Sequence, residues 1–183
     1  METQVKAFYQ TNKGFEVFTI FGYVTKGVPS LEINGAGKLS KNIKEKLIFL
    51  TRNRKLNIPQ RRFVICVDQN DLLQNDEQLL KWLEFPLLLT YWYLAGLVPI
   101  KRLENCLTSG WIRPNGEVFH FNLTDQMRNR LLKAIPPVER DQTLFIGGAD
   151  SCIHSQMLLE HIPHLSFKTS YQANQKVVYS MIS

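Results

Sequence analysis

From Phe15 onward the chain alternates. Phe15, Val17, Thr19 and Phe21 fall on one side and Glu16, Phe18 and Ile20 on the other, the two-residue period of a long strand with at least one buried face. Gly27-Val28-Pro29-Ser30 then reads as a turn and Leu31 to Ile33 as a short strand. Ser40 is placed to cap a helix in which Ile43, Leu47 and Leu50 recur at helical spacing, running to about Asn53. Pro59 closes the following loop, and Phe63 to Val67 reads as a buried strand. Leu79 to Leu97 is apolar nearly all round and predicts a helix, with Pro86 as its start or a kink. Asn105 to Ile112 and Glu117 to Phe121 predict a hairpin around Pro114-Asn115-Gly116. Thr124 should cap a helix reaching Ala134, which Pro136-Pro137 ends. Thr143 to Ile146 predicts a strand, Ser151 to His161 a helix and Leu165 to Phe167 a last short strand, and the tail beyond about residue 170 has no clear pattern. Strands and helices interleave without a repeat, a low-complexity tract or a linker, so residues 1–183 are expected to form a single domain of α/β or α+β class.

Composition narrows this picture modestly. At 44% apolar and 21% charged over 183 residues, the chain can bury one substantial core. Three cysteines, Cys66, Cys106 and Cys152, are too few and odd in number for a disulfide framework, which points to a reducing compartment. The N-terminus lacks the basic start and apolar run of a signal peptide. The longest nearly uncharged stretch, Phe85 to Ile100, is shorter than a membrane span and holds Pro86, Gly96 and Pro99, so it suits a buried core element. The expectation is a cytoplasmic protein without a membrane segment.

Charge changes the picture more. Between Lys38 and Arg62 lie nine basic residues against one acid, Glu45, a local charge of +8 in a chain whose net charge is +6. The basicity is therefore concentrated, and the rest of the chain is slightly acidic. At about 100° per residue, Lys41, Lys44, Arg52 and Lys55 project opposite the Ile43/Leu47/Leu50 stripe. They are the candidate nucleic-acid-binding residues, able to track phosphates without reading sequence. The other reading of the same residues is an ordinary solvated helix face. No aromatic residue interleaves them to stack on bases.

No other stretch spells out an enzyme. "EINGAGKLSKN", Glu32 to Asn42, has the glycine and lysine of a phosphate-binding loop. A working loop needs a glycine where Glu32 stands and a magnesium-binding hydroxyl where Leu39 stands. The segment is read as a glycine-rich turn from strand to helix. Cys152, His154, Glu160, His161 and His164 are all metal-ligand types, but their spacing matches no standard zinc pattern, so no metal site is assigned. Trp82, Phe85, Tyr91, Trp92 and Tyr93 crowd one helix. They cannot all face inward from a single stripe, which hints at an interface with a protein partner or a second copy.

The order of small motifs resembles the N-terminal domain of magnesium-chelatase-like AAA+ proteins of the competence ComM type. The matching stretches are "GVPSLEINGAGKLSKNIKEKL" (Gly27 to Leu47), "IPQRRFVICVDQNDL" (Ile58 to Leu72), "EFPLLLTYWYLAG" (Glu84 to Gly96), "SGWIRPNGEV" (Ser109 to Val118) and "TLFIGGADSCIHSQML" (Thr143 to Leu158). The resemblance covers roughly residues 5 to 170. It implies an α+β fold like that of the Lon proteolytic domain, shared with a ribosomal-protein domain, in which a mixed sheet is covered by helices. It also implies an AAA+ module following in full-length relatives, and this chain carries none of that module's motifs.

Lon-type peptidases use a serine activated by a lysine. By the resemblance Leu87 takes the nucleophile position, after Pro86, and Arg128 is the nearest counterpart of the lysine. Leucine cannot attack a carbonyl and arginine cannot act as a base. The expectation is a non-catalytic domain without cofactor, serving as an interaction or regulatory module for a protein partner or a separately encoded AAA+ ATPase. The alternative is a nucleic-acid-binding accessory protein.

Overall fold

The computed structural model describes residues 1–11, 14–68, 77–148 and 151–165. Two long strands open the chain as a hairpin, β1 (Glu2–Thr11) and β2 (Gly14–Thr25), paired from Glu2↔Tyr23 to Thr11↔Gly14. β3 (Ser30–Asn34) leads through a short 3-10 turn, Gly37–Leu39, into α1 (Ser40–Asn53), and β4 (Arg62–Val67) returns parallel to β3. Next come α2 (Glu77–Lys81), α3 (Glu84–Leu94), β5 (Cys106–Thr108) and a small hairpin of β6 (Trp111–Ile112) and β7 (Val118–Phe119). The chain then forms α4 (Asp125–Lys133), α5 (Pro137–Arg140), β8 (Leu144–Gly147), β9 (Ile153–His154) and α6 (Ser155–Leu165).

Seven strands make one mixed sheet in the order β3-β4-β2-β1-β5-β8-β9. β2 runs against both its neighbours, and every other pairing in the sheet is parallel. Alternation sorts side chains onto two faces. Val5, Ala7, Ile20, Ile33, Phe63 and Ile65 meet α1 and α3 on one face. On the other, Phe8, Leu107 and Phe145 meet Leu131 of α4. The chain is thus α+β, with a mixed sheet and helices packed on it.

α3 is buried on every side rather than along a stripe. It lies across β1, β2 and β4 and touches α1 and β6. Gly22 lets it approach closely, since a Cβ there would stand 3.0 Å from Leu94 Cδ1 and 3.1 Å from the Val64 carbonyl oxygen. Trp92 is fully buried and donates from Nε1 to Thr51 Oγ1 at 2.8 Å, and Tyr93 donates its hydroxyl to the Lys101 carbonyl at 3.1 Å. Phe85 and Tyr91 are buried too, and Trp82 stacks on Phe121 at 3.8 Å. The aromatic crowd therefore has several internal partners, with Trp82 and Tyr93 left half-buried.

Other expectations are corrected in detail. Ser40 is the first helical residue rather than the cap: Leu39 holds that position without a side-chain bond, and the 3-10 turn starts the helix instead. The long apolar helix is divided at Trp82–Leu83, with Pro86 in the first turn of α3, where a missing N–H costs nothing. It stops at a glycine cap: Gly96 has φ +76°, and the Leu97 N–H reaches back to the Trp92 carbonyl at 2.9 Å. The segment from Asn105 splits, β5 joining the main sheet and only β6 entering the hairpin. β9 precedes α6, which takes in Leu165 where a strand was expected; Ser166, Phe167 and the tail lie outside the described residues. The strand Glu2–Thr11 was not foreseen. Thr124 does cap α4, accepting from the Met127 N–H at 3.3 Å.

Candidate functional site

The glycine-rich turn packs against the end of β4. Gly35 has φ +83°, and a Cβ built there would lie 2.5 Å from the Val67 carbonyl oxygen. Ala36 is fully buried. Here glycine serves a left-handed turn pressed against a neighbouring strand.

Seven of the nine basic residues fall into two groups, and the other two, Lys38 and Arg61, are exposed. Three hold the fold. Lys46 Nζ sits 2.6 Å from Glu84 Oε1. Arg54 donates from Nη1 to the Leu159 carbonyl at 2.8 Å. Arg62 makes a two-bond pair with Glu32, at 2.8 and 2.9 Å, which holds the Glu32 carboxyl below its usual range. The four candidates are distributed differently. Lys41 and Arg52 are exposed on α1, and Lys44 is half-exposed with Nζ 3.9 Å from Glu45. Lys55 is exposed but lies beyond the helix with φ +54°, the position usually given to glycine, so the helical projection does not apply to it. Arg52 also lines a cleft of about 330 Å³ together with Arg61 and Tyr91.

A larger cavity of about 620 Å³ opens at the C-terminal ends of parallel strands β5 and β8. Ser109 follows β5, Gly147 ends β8, and both line it. The first turn of α4 brings Thr124, Asp125 and Arg128 to the rim. Arg128 is half-buried, and its Nε is buried with no hydrogen-bond partner.

His120 borders the same cavity between two partners. Its Nδ1 is 2.7 Å from the Ser109 carbonyl oxygen and its Nε2 is 2.5 Å from Ser155 Oγ. A carbonyl can only accept, so Nδ1 carries the proton and the bare Nε2 accepts from the Ser155 hydroxyl. Burial lowers the His120 pKa, outweighing the bond to Ser109, which raises it; nearby His154 lowers it further. Phe85 packs edge-on against the ring at 5.4 Å, and Gly110 leaves it room, since a Cβ there would meet the imidazole at 3.1 Å. The pairing has the hydrogen-bond order of a serine–histidine dyad. Ser155, however, is 1% exposed and is not among the residues lining the cavity. The geometry suits a clamp joining the hairpin, the end of β5 and the start of α6.

Among the metal-ligand types, Cys152 is exposed and His154 Nδ1 accepts the Met157 N–H at 3.3 Å. The described residues hold no group of three or more histidine, cysteine or carboxylate side chains placed for a metal. The side chains of His161 and His164 lie outside the described set. Among the described residues no helix is long and apolar enough to cross a membrane.

His120 and Ser155 escaped sequence reasoning because they are 35 residues apart and meet only through the sheet. Arg128 was singled out for its position, yet its unpaired Nε is visible only in three dimensions. Compared with known proteins, the chain matches no protein-family model and no curated protein.

Proposed function

We propose that this chain is a Lon-like domain akin to the N-terminal domain of magnesium-chelatase-like AAA+ proteins, working without peptidase chemistry as an interaction or regulatory module. The observation that carries this reading is Leu87. At the position where the resemblance puts the nucleophile, it is a fully buried core residue of α3. Arg128, nearest to the position of the general base, keeps its proton at any physiological pH. The β3–α1–β4 crossover between parallel neighbours, and the placing of α3 on the sheet, are in keeping with the expected architecture. A protein partner, such as a separately encoded AAA+ ATPase, fits a domain of this kind. The test is incubation of the full chain with unfolded casein. Absence of cleavage supports the reading; cleavage that disappears in Ser155→Ala or Arg128→Ala overturns it.

A second reading is contact with nucleic acid through Lys41, Lys44, Arg52 and Lys55. It is favoured by their exposure and by the cleft that Arg52 and Arg61 share beside Tyr91. Binding to short DNA and RNA should weaken with salt, with a logarithmic slope of about 0.7 to 0.9 per phosphate contacted. It should vanish when all four are changed to glutamate. Binding that ignores salt or survives that change removes this reading.

A further inference from the structure

We propose that the cavity at the ends of β5 and β8 is a binding site for a small monocarboxylate with an apolar body, held by Arg128. This rests on the cavity and not on the family resemblance, so it stands or falls separately from the reading above.

Volume comes first. At about 620 Å³ the cavity is within the range that holds small organic ligands. Its walls supply two kinds of surface. Phe8, Phe121 and Phe145 line it, and two of these rings are fixed in place. Phe8 packs edge-on to Phe15 at 6.0 Å and lies 5.9 Å from Phe121, while Phe121 stacks on Trp82. A wall of this kind can receive an apolar group without first being ordered. Thr124 and Ser151 bring hydroxyls to it that can donate, while the Ser109 hydroxyl already donates to the Trp82 carbonyl at 3.4 Å.

The charge pattern selects the headgroup. Arg128 is always protonated, and a buried guanidinium nitrogen with no acceptor is a costly arrangement in the empty protein. Arg128 also lines the cavity, where a carboxylate can pair with its guanidinium through a charge-assisted bond. The N-terminal end of α4, which borders the cavity at Thr124 and Asp125, adds a favourable field for an anion. Asp125 sets the limit: it lines the same cavity, so the site sets one acid beside its one arginine. A singly charged ligand is tolerated there better than a phosphate dianion. His120 holds Nδ1–H on Ser109 and Nε2 on Ser155, so both ring nitrogens are already engaged.

The experiment titrates the full, isotope-labelled chain at pH 7.5 with 3-phenylpropionate, its neutral amide 3-phenylpropanamide, and phenyl phosphate, following backbone amide shifts. The expected result is saturable shifts at Ser109, Gly147 and Gly148 with the carboxylate. Binding should be about tenfold weaker or less for the amide, which lacks the charge-assisted pair. Arg128→Gln should lose binding to a similar extent, and Arg128→Lys should recover part of it. Because the Arg128 Nε has no partner to lose, the unliganded Arg128→Gln protein should melt no lower than the parent. Should that variant fail to fold, the comparison of acid with amide on the parent chain decides alone. No saturable shift at millimolar ligand, equal binding of acid and amide, or preference for phenyl phosphate overturns the proposal.

Discussion

Lys46 Nζ lies 2.6 Å from Glu84 Oε1, and around that pair three elements meet. The same ammonium donates to the Ile112 carbonyl at 3.1 Å, and Glu84 Oε2 accepts the Ile112 N–H at 2.8 Å. One ion pair thus joins α1, the first turn of α3 and strand β6. A lysine that reads as part of a basic surface is spent inside the fold.

Glu84 is 4% exposed, and Lys46 is the cation that compensates it. Lys46→Met leaves a buried carboxylate without its cation and should cost about 3 kcal/mol or more. Glu84→Gln keeps a hydrogen-bond acceptor for Ile112 and should cost less. Urea unfolding of the two variants checks the order. Equal losses would mean that the pair matters as packing rather than as charge.

Trp92 and Thr51 offer a cleaner coupling. The indole N–H donates to Thr51 Oγ1, whose hydroxyl in turn donates to the Leu47 carbonyl at 2.7 Å. Thr51→Val leaves the indole N–H buried without an acceptor and should cost about 1–3 kcal/mol. In a Trp92→Phe background the same change should cost clearly less, because no donor is left stranded. A double-mutant cycle by denaturant unfolding measures the difference, and purely additive losses would contradict it.

Lys55 is the one non-glycine residue with positive φ among the described residues. It stands at the left-handed position after α1, where the Leu56 N–H returns to the Thr51 carbonyl at 3.1 Å. Lys55→Gly should therefore stabilise the chain by about 1 kcal/mol, the steric cost of a Cβ in that conformation. Thermal melting reads this directly. The same variant removes one of the four candidate phosphate contacts, so nucleic-acid binding at low salt, where it occurs, should weaken while stability rises.

His120 links stability to pH. Its pKa is lowered in the folded state, so below the unfolded value of about 6.5 the unfolded chain binds more protons than the folded one. The neutral ring's contribution is complete above that value and is lost as pH falls from there toward the lower folded pKa. The melting temperature should drop across that window, and the drop should shrink in His120→Asn. An unchanged pH profile in that variant would assign the sensitivity to other groups.

Local pattern was enough for much of the chain. The alternation after Phe15, the Ile43/Leu47/Leu50 stripe, the run Phe63 to Val67 and the Thr124 cap all stand as read, because each depends on neighbours within a turn or a strand. So does the glycine turn after β3, where the missing parts of a phosphate loop could be counted directly. Less was legible where the partner is remote. The first strand, Glu2–Thr11, is held between β2 and β5. Leu79 to Leu97 looked like one helix because apolar residues carry no mark of where a buried segment turns. Its aromatics found internal partners because the sheet, α1 and the hairpin surround it.

What the sequence determined by itself was the class of fold, the concentration of positive charge, and the side chains present at Leu87 and Arg128. Which cations are exposed and which are spent on Glu84, Leu159 and Glu32 was decided only by tertiary structure. So were the meeting of His120 with Ser155 and the cavity around Arg128. Periodicity reports the side of an element on which a residue lies. Pairing, burial and an unmet hydrogen bond depend on what the rest of the chain brings to that side.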